Sequence, residues 1–320
     1  MRYDEEEFCG EECSKIVDDR GKYSSFVFGQ ESVNLINNYT AGGGEGPLFL
    51  YLAYAAVHTP IQAPRKYTAM YKHQKNWSPA KKTYAGMVTA ADKSLGWVVN
   101  SLKRKGMWKD TLIIYTSDNG ALAKYGSNSP HRGGKGDLWE GGIVSDGIIA
   151  GPARAKLGIA KGYSKQYFHA VDWFPTLAEI VGVKPKADPA LHGVSQLQGL
   201  KGGIAPRNEL FLGFGEKKFS RVDGYQPENK RPRYAALLRN NWKLIYDFQA
   251  KKKMLFNVRN DPAESKNLES KRRKMTQKLW ARLKVHIRSG KMPIQKDMTC
   301  GDVKFSKAPW GQSVWQPWCS

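Results

Sequence analysis

Between residues 84 and 105 apolar side chains recur at Met87, Ala91, Leu95, Val98 and Leu102, and Lys105-Gly106 supplies a basic last turn with a glycine stop. That spacing predicts an amphipathic helix. Two continuous apolar runs of strand length flank it, Leu48-Phe49-Leu50-Tyr51-Leu52-Ala53-Tyr54 before and Thr111-Leu112-Ile113-Ile114-Tyr115-Thr116 after. Runs without polar alternation suit strands covered on both faces, so strand, helix, strand predicts a right-handed crossover unit of a parallel α/β sheet. A third run, residues 143–150, precedes Gly151-Pro152. Val171, Phe174, Leu177, Ala178 and Val181 then mark one face of a helix over 167–181, which Pro175 is expected to kink or restart.

After a loop-rich stretch from about 183 to 207 the pattern changes to short strands at 234–238, 242–246 and 253–257, which predicts a small antiparallel sheet. Asp261-Pro262-Ala263-Glu264 turns the chain, and Met275, Leu279, Leu283 and Ile287 recur every fourth residue on one helix with a very basic outer face. The expected organisation is a main α/β domain over residues 1–204 and a smaller domain of antiparallel sheet and helix over 205–320. Gly42-Gly43-Gly44-Glu45-Gly46-Pro47 reads as a loop before the first strand.

Composition sharpens this picture in four places. At 320 residues, 41% hydrophobic with ten Trp, the sequence folds, and no apolar run approaches the roughly eighteen residues of a membrane span. The acidic start, Asp4-Glu5-Glu6-Glu7, is unlike a signal peptide. A formal net charge of +22 suits a polyanionic partner such as a sulfated glycan or nucleic acid, although a solvated basic surface explains it equally. Lys271-Arg272-Arg273-Lys274 reads as a solvated helix face, and no nucleic-acid-binding signature accompanies it. Cys9, Cys13, Cys300 and Cys319 lack zinc-module spacing and suit disulfides; with the sequons at Asn38 and Asn76 they fit a secretory-pathway protein.

Three segments carry candidate chemistry. Val57-His58-Thr59-Pro60 follows the first apolar run, where open α/β sheets place ligand-contacting groups, although a lone His there also serves as a cap. Ser117-Asp118-Asn119-Gly120 follows the second, and adjacent Asp and Asn offer the hard oxygens that Ca²⁺ or Mg²⁺ prefer, or an ordinary turn. The third, residues 132–142, is a glycine-rich loop carrying Arg132 and Lys135 that suits an oxyanion and matches neither phosphate-loop nor dinucleotide glycine patterns.

In this order the three segments resemble the type I sulfatase family, most of all its arylsulfatase B-like members. Tyr84-Ala85-Gly86-Met87-Val88, Leu138-Trp139-Glu140-Gly141-Gly142, Asp172-Trp173-x-Pro175-Thr176-Leu177, Asn241-Trp242-Lys243-Leu244, Asp261-Pro262-x-Glu264 and Val314-Trp315-Gln316-Pro317-Trp318 extend the resemblance over nearly the whole chain. The resemblance implies an alkaline-phosphatase-like mixed sheet between helices, and hydrolysis of a sulfate ester. It implies Asp118 and Asn119 as calcium ligands, Lys135 holding a sulfate oxygen, and His58 protonating the leaving oxygen. The basic surface agrees with a sulfated glycosaminoglycan substrate but leaves its identity open, and the resemblance implies a lysosomal or extracellular setting.

The sequence also departs from that family. The family nucleophile is a formylglycine made from Cys in Cys-x-Pro-x-Arg, and none of the four cysteines stands in that pattern. The strand with paired aspartates that completes the family's calcium shell has no counterpart either, and Ile143-Val144-Ser145 lacks an Arg often found there. The acidic start is similar to the middle of a sulfatase, with Cys13 near a disulfide position. The expectation is therefore a chain beginning within a domain, inactive alone, with an incomplete sheet that exposes an apolar edge.

Overall fold

A computed structural model describes residues 19, 21–40, 46–184, 192–215, 233–289, 305–307 and 313–315. The four cysteines and Gly42 to Gly44 lie outside them. The chain forms two compact units. One comprises residues 1–22 and 290–320; its described part includes an antiparallel pair of strands, Phe305–Lys307 and Ser313–Trp315. The other comprises residues 23–289 and holds every candidate site residue.

This larger unit is built on two crossing helices, α1 (Ser24–Asn38) and α2 (Pro79–Arg104). Ser78 caps α2 by accepting from the Lys81 amide at 3.2 Å, and Pro79 occupies the first helical position, where its missing N–H costs nothing. The helix thus begins five residues before its apolar spacing becomes readable. Its buried face runs through Met87, Ala90, Ser94, Val98, Ser101 and Leu102 rather than through Ala91 and Leu95. Two serines belong to that face because they bond across to α1: Ser94 Oγ donates to Ser25 O at 2.5 Å and Ser101 Oγ donates to Asn37 Oδ1 at 2.7 Å. Gly29 is what permits this approach, since a Cβ there would collide with Ser94.

Residues 48–54, expected as a central strand, are extended but join no ladder among the described residues. Leu48, Leu50 and Leu52 pack against Ile36, Val98 and Leu102, while Phe49 and Tyr51 on the alternate face stand 75% and 83% exposed. An extended segment shows opposite faces at successive residues, so one side covers the helices and the other lies open. The second run gives β1 (Ile113–Thr116) and the third gives β2 (Gly147–Ala150), and these pair with each other antiparallel, Ile114 opposite Ile149. The parallel crossover is thus corrected: β1 takes as its neighbour the strand that follows it. Tyr115 and Ile148, 47% and 54% exposed, show that this pair is open on one face.

The helix expected over 167–181 is reduced to α3 (Trp173–Ile180), entered through a tight turn at Ala170–Asp172. Pro175 sits in its first turn, where it neither kinks nor restarts anything. Asp172 is fully buried and ties this corner together. It accepts from Arg207 Nε and Gln196 Nε2 at 2.9 and 3.0 Å and from the backbone amides of His169 and Val194, both at 2.9 Å. Burial alone would push its carboxyl up, but the Arg207 hydrogen bond and the two amides outweigh burial and hold it below the ordinary aspartate value. A lowered folded pKa contributes stability above the unfolded value, about 3.9, that is lost as pH falls through the folded one. Asp172→Asn is therefore expected to lower the melting temperature at neutral pH, with the gap to the parent closing as the pH falls below 4; a gap constant with pH would refute this account.

The small sheet contains the three expected strands, β4 (Tyr234–Arg239), β5 (Trp242–Asp247) and β6 (Lys252–Asn257), plus one that was not anticipated, β3 (Glu209–Gly215). All pair antiparallel in the order β3-β4-β5-β6. The last helix, α4 (Arg273–Ser289), places Leu279 and Leu283 on Ala235, Leu237, Leu244 and Leu255. The other face of the sheet, Ala236, Ile245 and Phe256, packs on Leu138 and Trp139 of the glycine-rich loop. The sheet is thus a layer between α4 and the candidate site.

Candidate functional site

Asp118 and Asn119 occupy the turn that follows β1, and Lys135 the glycine-rich loop that returns beside it. The two segments are stitched by backbone: Gly120 N donates to Gly142 O at 3.1 Å and Lys135 N donates to Ala121 O at 3.2 Å. Asn128 clamps them further. Its Oδ1 accepts from Ala121 N at 2.8 Å, and its Nδ2 donates to Ala121 O and Gly133 O at 2.8 and 3.0 Å. Contact this close is why glycines are needed, since a Cβ on Gly134 would lie 2.6 Å from Ala121 O and one on Gly141 2.5 Å from Arg132 O. The sequence therefore brings Lys135 and the Asp118-Asn119 pair onto one rigid piece of backbone.

His58 stands apart. It is exposed in its own turn, where its amide donates to Ala55 O at 2.9 Å and its Nδ1 lies 2.9 Å from Thr59 O. No hydrogen bond joins it to the Asp118–Lys135 piece. Because a carbonyl oxygen only accepts, Nδ1 carries a hydrogen in this contact and Nε2 is the nitrogen left for a ligand.

A divalent cation would find two hard donors here. Asn119 Nδ2 donates to Gly120 O at 2.9 Å, which leaves its Oδ1 as the atom available, beside the exposed carboxylate of Asp118. Calcium takes six to eight oxygens, so these residues fit it in kind but form only part of a shell. No group of three or more His, Cys, Asp or Glu that could hold a metal occurs among the described residues.

Beneath the loop lies an arrangement not anticipated as a site. Lys243 on β5, on the sheet face opposite α4, is completely buried, with its Nζ 2.9 Å from both Glu140 Oε1 and Glu264 Oε1. Glu264 Oε2 accepts from the Glu140 backbone amide at 2.6 Å, and the Arg132 guanidinium lies 3.8 Å from the Trp139 ring centre and donates to Glu264 O at 3.4 Å. Three segments far apart in sequence thus fix the C-terminal end of the Lys135 loop. Their signal was present in Trp139-Glu140, Asn241-Trp242-Lys243-Leu244 and Asp261-Pro262-x-Glu264, where a charge stands inside an otherwise apolar or turn-forming stretch.

Comparison with known proteins supplies the context for this geometry. The family model described as Sulfatase matches residues 1–183. The chain is 34% identical over 194 residues to Arylsulfatase J of Mus musculus, covering 60% of this chain and 31% of that protein. It is 31% identical over 244 residues to a Sulfatase of Formosa agariphila, covering 70% and 42%. Among solved structures, that of Ps i-CgsB in complex with k-i-k-neocarrahexaose superposes with a TM-score of 0.67 at 27% identity, over 83% of this chain and 54% of that one. The chain thus spans roughly a third to two fifths of the length of these curated relatives.

Proposed function

Because the chain belongs to the sulfatase family, with its α/β, alkaline-phosphatase-like fold, we propose that it is the substrate-holding part of a sulfuric ester hydrolase of arylsulfatase type. The observation that carries this is the backbone stitching of the Asp118-Asn119 turn to the loop that bears Lys135, which holds the two segments on one piece of the fold. Lys135 holds a sulfate oxygen as a compact point charge. Where a nucleophile that these residues do not supply bonds to sulfur, His58 would give the proton on Nε2 to the departing ester oxygen as the sulfur–oxygen bond breaks, its ring held by Nδ1 on Thr59 O. Asp118 and Asn119 contribute two ligands to a calcium ion, which when bound would neutralise charge on the sulfate.

A sulfated glycan suits the net charge of +22, and Ps i-CgsB, one of the structural neighbours, was solved in complex with k-i-k-neocarrahexaose. The exposed sequon asparagines Asn38 and Asn76 support a secretory-pathway setting, lysosomal or extracellular. No helix among the described residues is long and apolar enough to cross a membrane. Since no cysteine here stands in Cys-x-Pro-x-Arg, the 320-residue chain on its own is expected to bind sulfate esters without turning them over.

The test is release of inorganic sulfate from an aryl sulfate by the protein at its native length, measured with calcium and after chelation. Calcium-dependent release supports the hydrolase. Retention of a sulfated glycan with no release under any condition supports instead a non-catalytic sulfated-glycan-binding protein, the reading favoured by the absent cysteine motif.

A further inference from the structure

The outer face of α4 and the turn leading into it carry a dense row of positive charge with few ion pairs. Between residues 271 and 288 there are eight Lys and Arg and no Asp or Glu. The buried and half-buried basic side chains elsewhere are matched: Arg207 with Asp172, Arg233 with Asp247, Lys243 with Glu140 and Glu264. On α4 only Arg282, with Glu209, forms an ion pair through Lys or Arg among the described residues. Lys271, Arg272, Arg273, Lys274, Lys278, Lys284 and Arg288 are exposed. Lys274 and Lys278, Lys278 and Arg282, and Lys284 and Arg288 are like charges at i, i+4, each pair unfavourable to the helix. The helix is held by Leu279 and Leu283 beneath, so it carries this repulsion rather than being stabilised by its surface.

Beside this row the half-buried Trp280 packs on Tyr246 with ring centres 4.4 Å apart, and Lys253 and Lys284 place their ammonium groups 5.4 and 5.8 Å from its ring centre. Lys253 comes from β6 and Lys284 from α4, so the two layers converge on one aromatic flanked by cations. At about 1.5 Å rise per residue, the helix spreads its charges over roughly 25 Å, the scale of an extended polymer rather than of a single ion.

We propose that this face of α4, with Lys253 and Trp280 at its rim, is a second binding surface for the sulfated glycan chain, separate from the site that would hold the scissile ester. The choice of glycan rests on the proposed function; the surface itself does not. A sulfated polysaccharide offers closely spaced anions to the lysine row and to the ammonium groups held at Trp280. Single-stranded nucleic acid needs open aromatic faces for its bases, whereas the exposed positions of α4 carry none and Trp280 is covered by Tyr246 and two lysines.

The test compares retention of the full chain on immobilised heparin as a function of salt for two triple variants. Lys274→Gln, Lys278→Gln and Lys284→Gln change the surface; Lys72→Gln, Lys75→Gln and Lys161→Gln remove equal charge from other exposed positions. The first should weaken binding about tenfold or more and lower the salt slope by about two to three, with the second near the parent. Its melting temperature should not fall, because like-charge repulsion is relieved, and the matching Lys→Arg triple should still bind. Equal losses from both Gln triples, or displacement of heparin by single-stranded DNA at equal charge concentration, would overturn the proposal. His58→Ala should leave heparin retention unchanged, which separates this surface from the ester site.

Discussion

Lys243→Met is expected to destabilise the 23–289 unit by about 3 to 5 kcal/mol, the cost of breaking a buried ion pair by removing one partner. The ammonium is fully buried between two carboxylates, and without it Glu140 and Glu264 face each other with no counter-charge. Burial already pushes the Glu264 carboxyl up, more than the attraction of Lys243 draws it back. In the variant that rise is larger, and Glu264 takes up a proton. A raised folded pKa gives stability that is present below the unfolded value and lost as pH rises through the folded one. The destabilisation should therefore be smaller at pH 5 than at pH 8 when urea midpoints are compared. A loss below about 1 kcal/mol, in the range of exposed pairs, would mean that water reaches the group and the triad is ordinary surface chemistry.

Because Glu140 follows the Lys135 loop directly, partial variants carry further information. Glu264→Gln keeps a hydrogen-bond acceptor for the Glu140 amide while removing one charge from a cluster of two carboxylates and one ammonium. Its cost should be well below that of Lys243→Met, since neither remaining charge loses its only partner.

The helices and small sheet were largely legible because their burial is local and periodic. Leu279 and Leu283 on α4, and Leu244 alternating with Ile245 on β5, declare their faces by spacing alone. Residues 48–54 were misjudged because an unbroken apolar run says only that both faces could be covered; here Leu48, Leu50 and Leu52 are partly buried and Phe49 and Tyr51 are exposed. Strand β3 escaped notice because Gly213, at φ +80° between irregularly registered segments, interrupts its pattern. At the site, residue types and positions after apolar runs or in a glycine-rich loop made His58, Asp118, Asn119 and Lys135 candidates, and the resemblance supplied their roles; the structure joins the last three through backbone and leaves His58 apart. Asn128, which fastens the two loops, and the buried partners of Asp172 were not legible, since contacts such as Asp172 with Arg207, thirty-five residues apart, leave no periodic trace.

Of the residues proposed to handle the ester, His58 and Lys135 give the sharpest kinetic contrast in the protein at its native length. Loss of a general acid typically costs about 10²- to 10⁴-fold, so His58→Ala should lower kcat on that scale for an alkyl or sugar sulfate, whose leaving oxygen needs a proton. For an aryl sulfate with an electron-poor ring, which departs as a stable anion, the loss should be much smaller. Lys135→Ala removes a charge from the sulfate itself, whichever group leaves. It should cost about 10²- to 10³-fold for both ester classes, as removal of one oxyanion contact does. Neither change should shift the melting temperature, because His58 is exposed and Lys135 is tied to the fold by its backbone amide rather than its side chain. Equal losses for good and poor leaving groups in His58→Ala would assign the imidazole to sulfate binding, and full activity in Lys135→Ala would remove the glycine-rich loop from the chemistry.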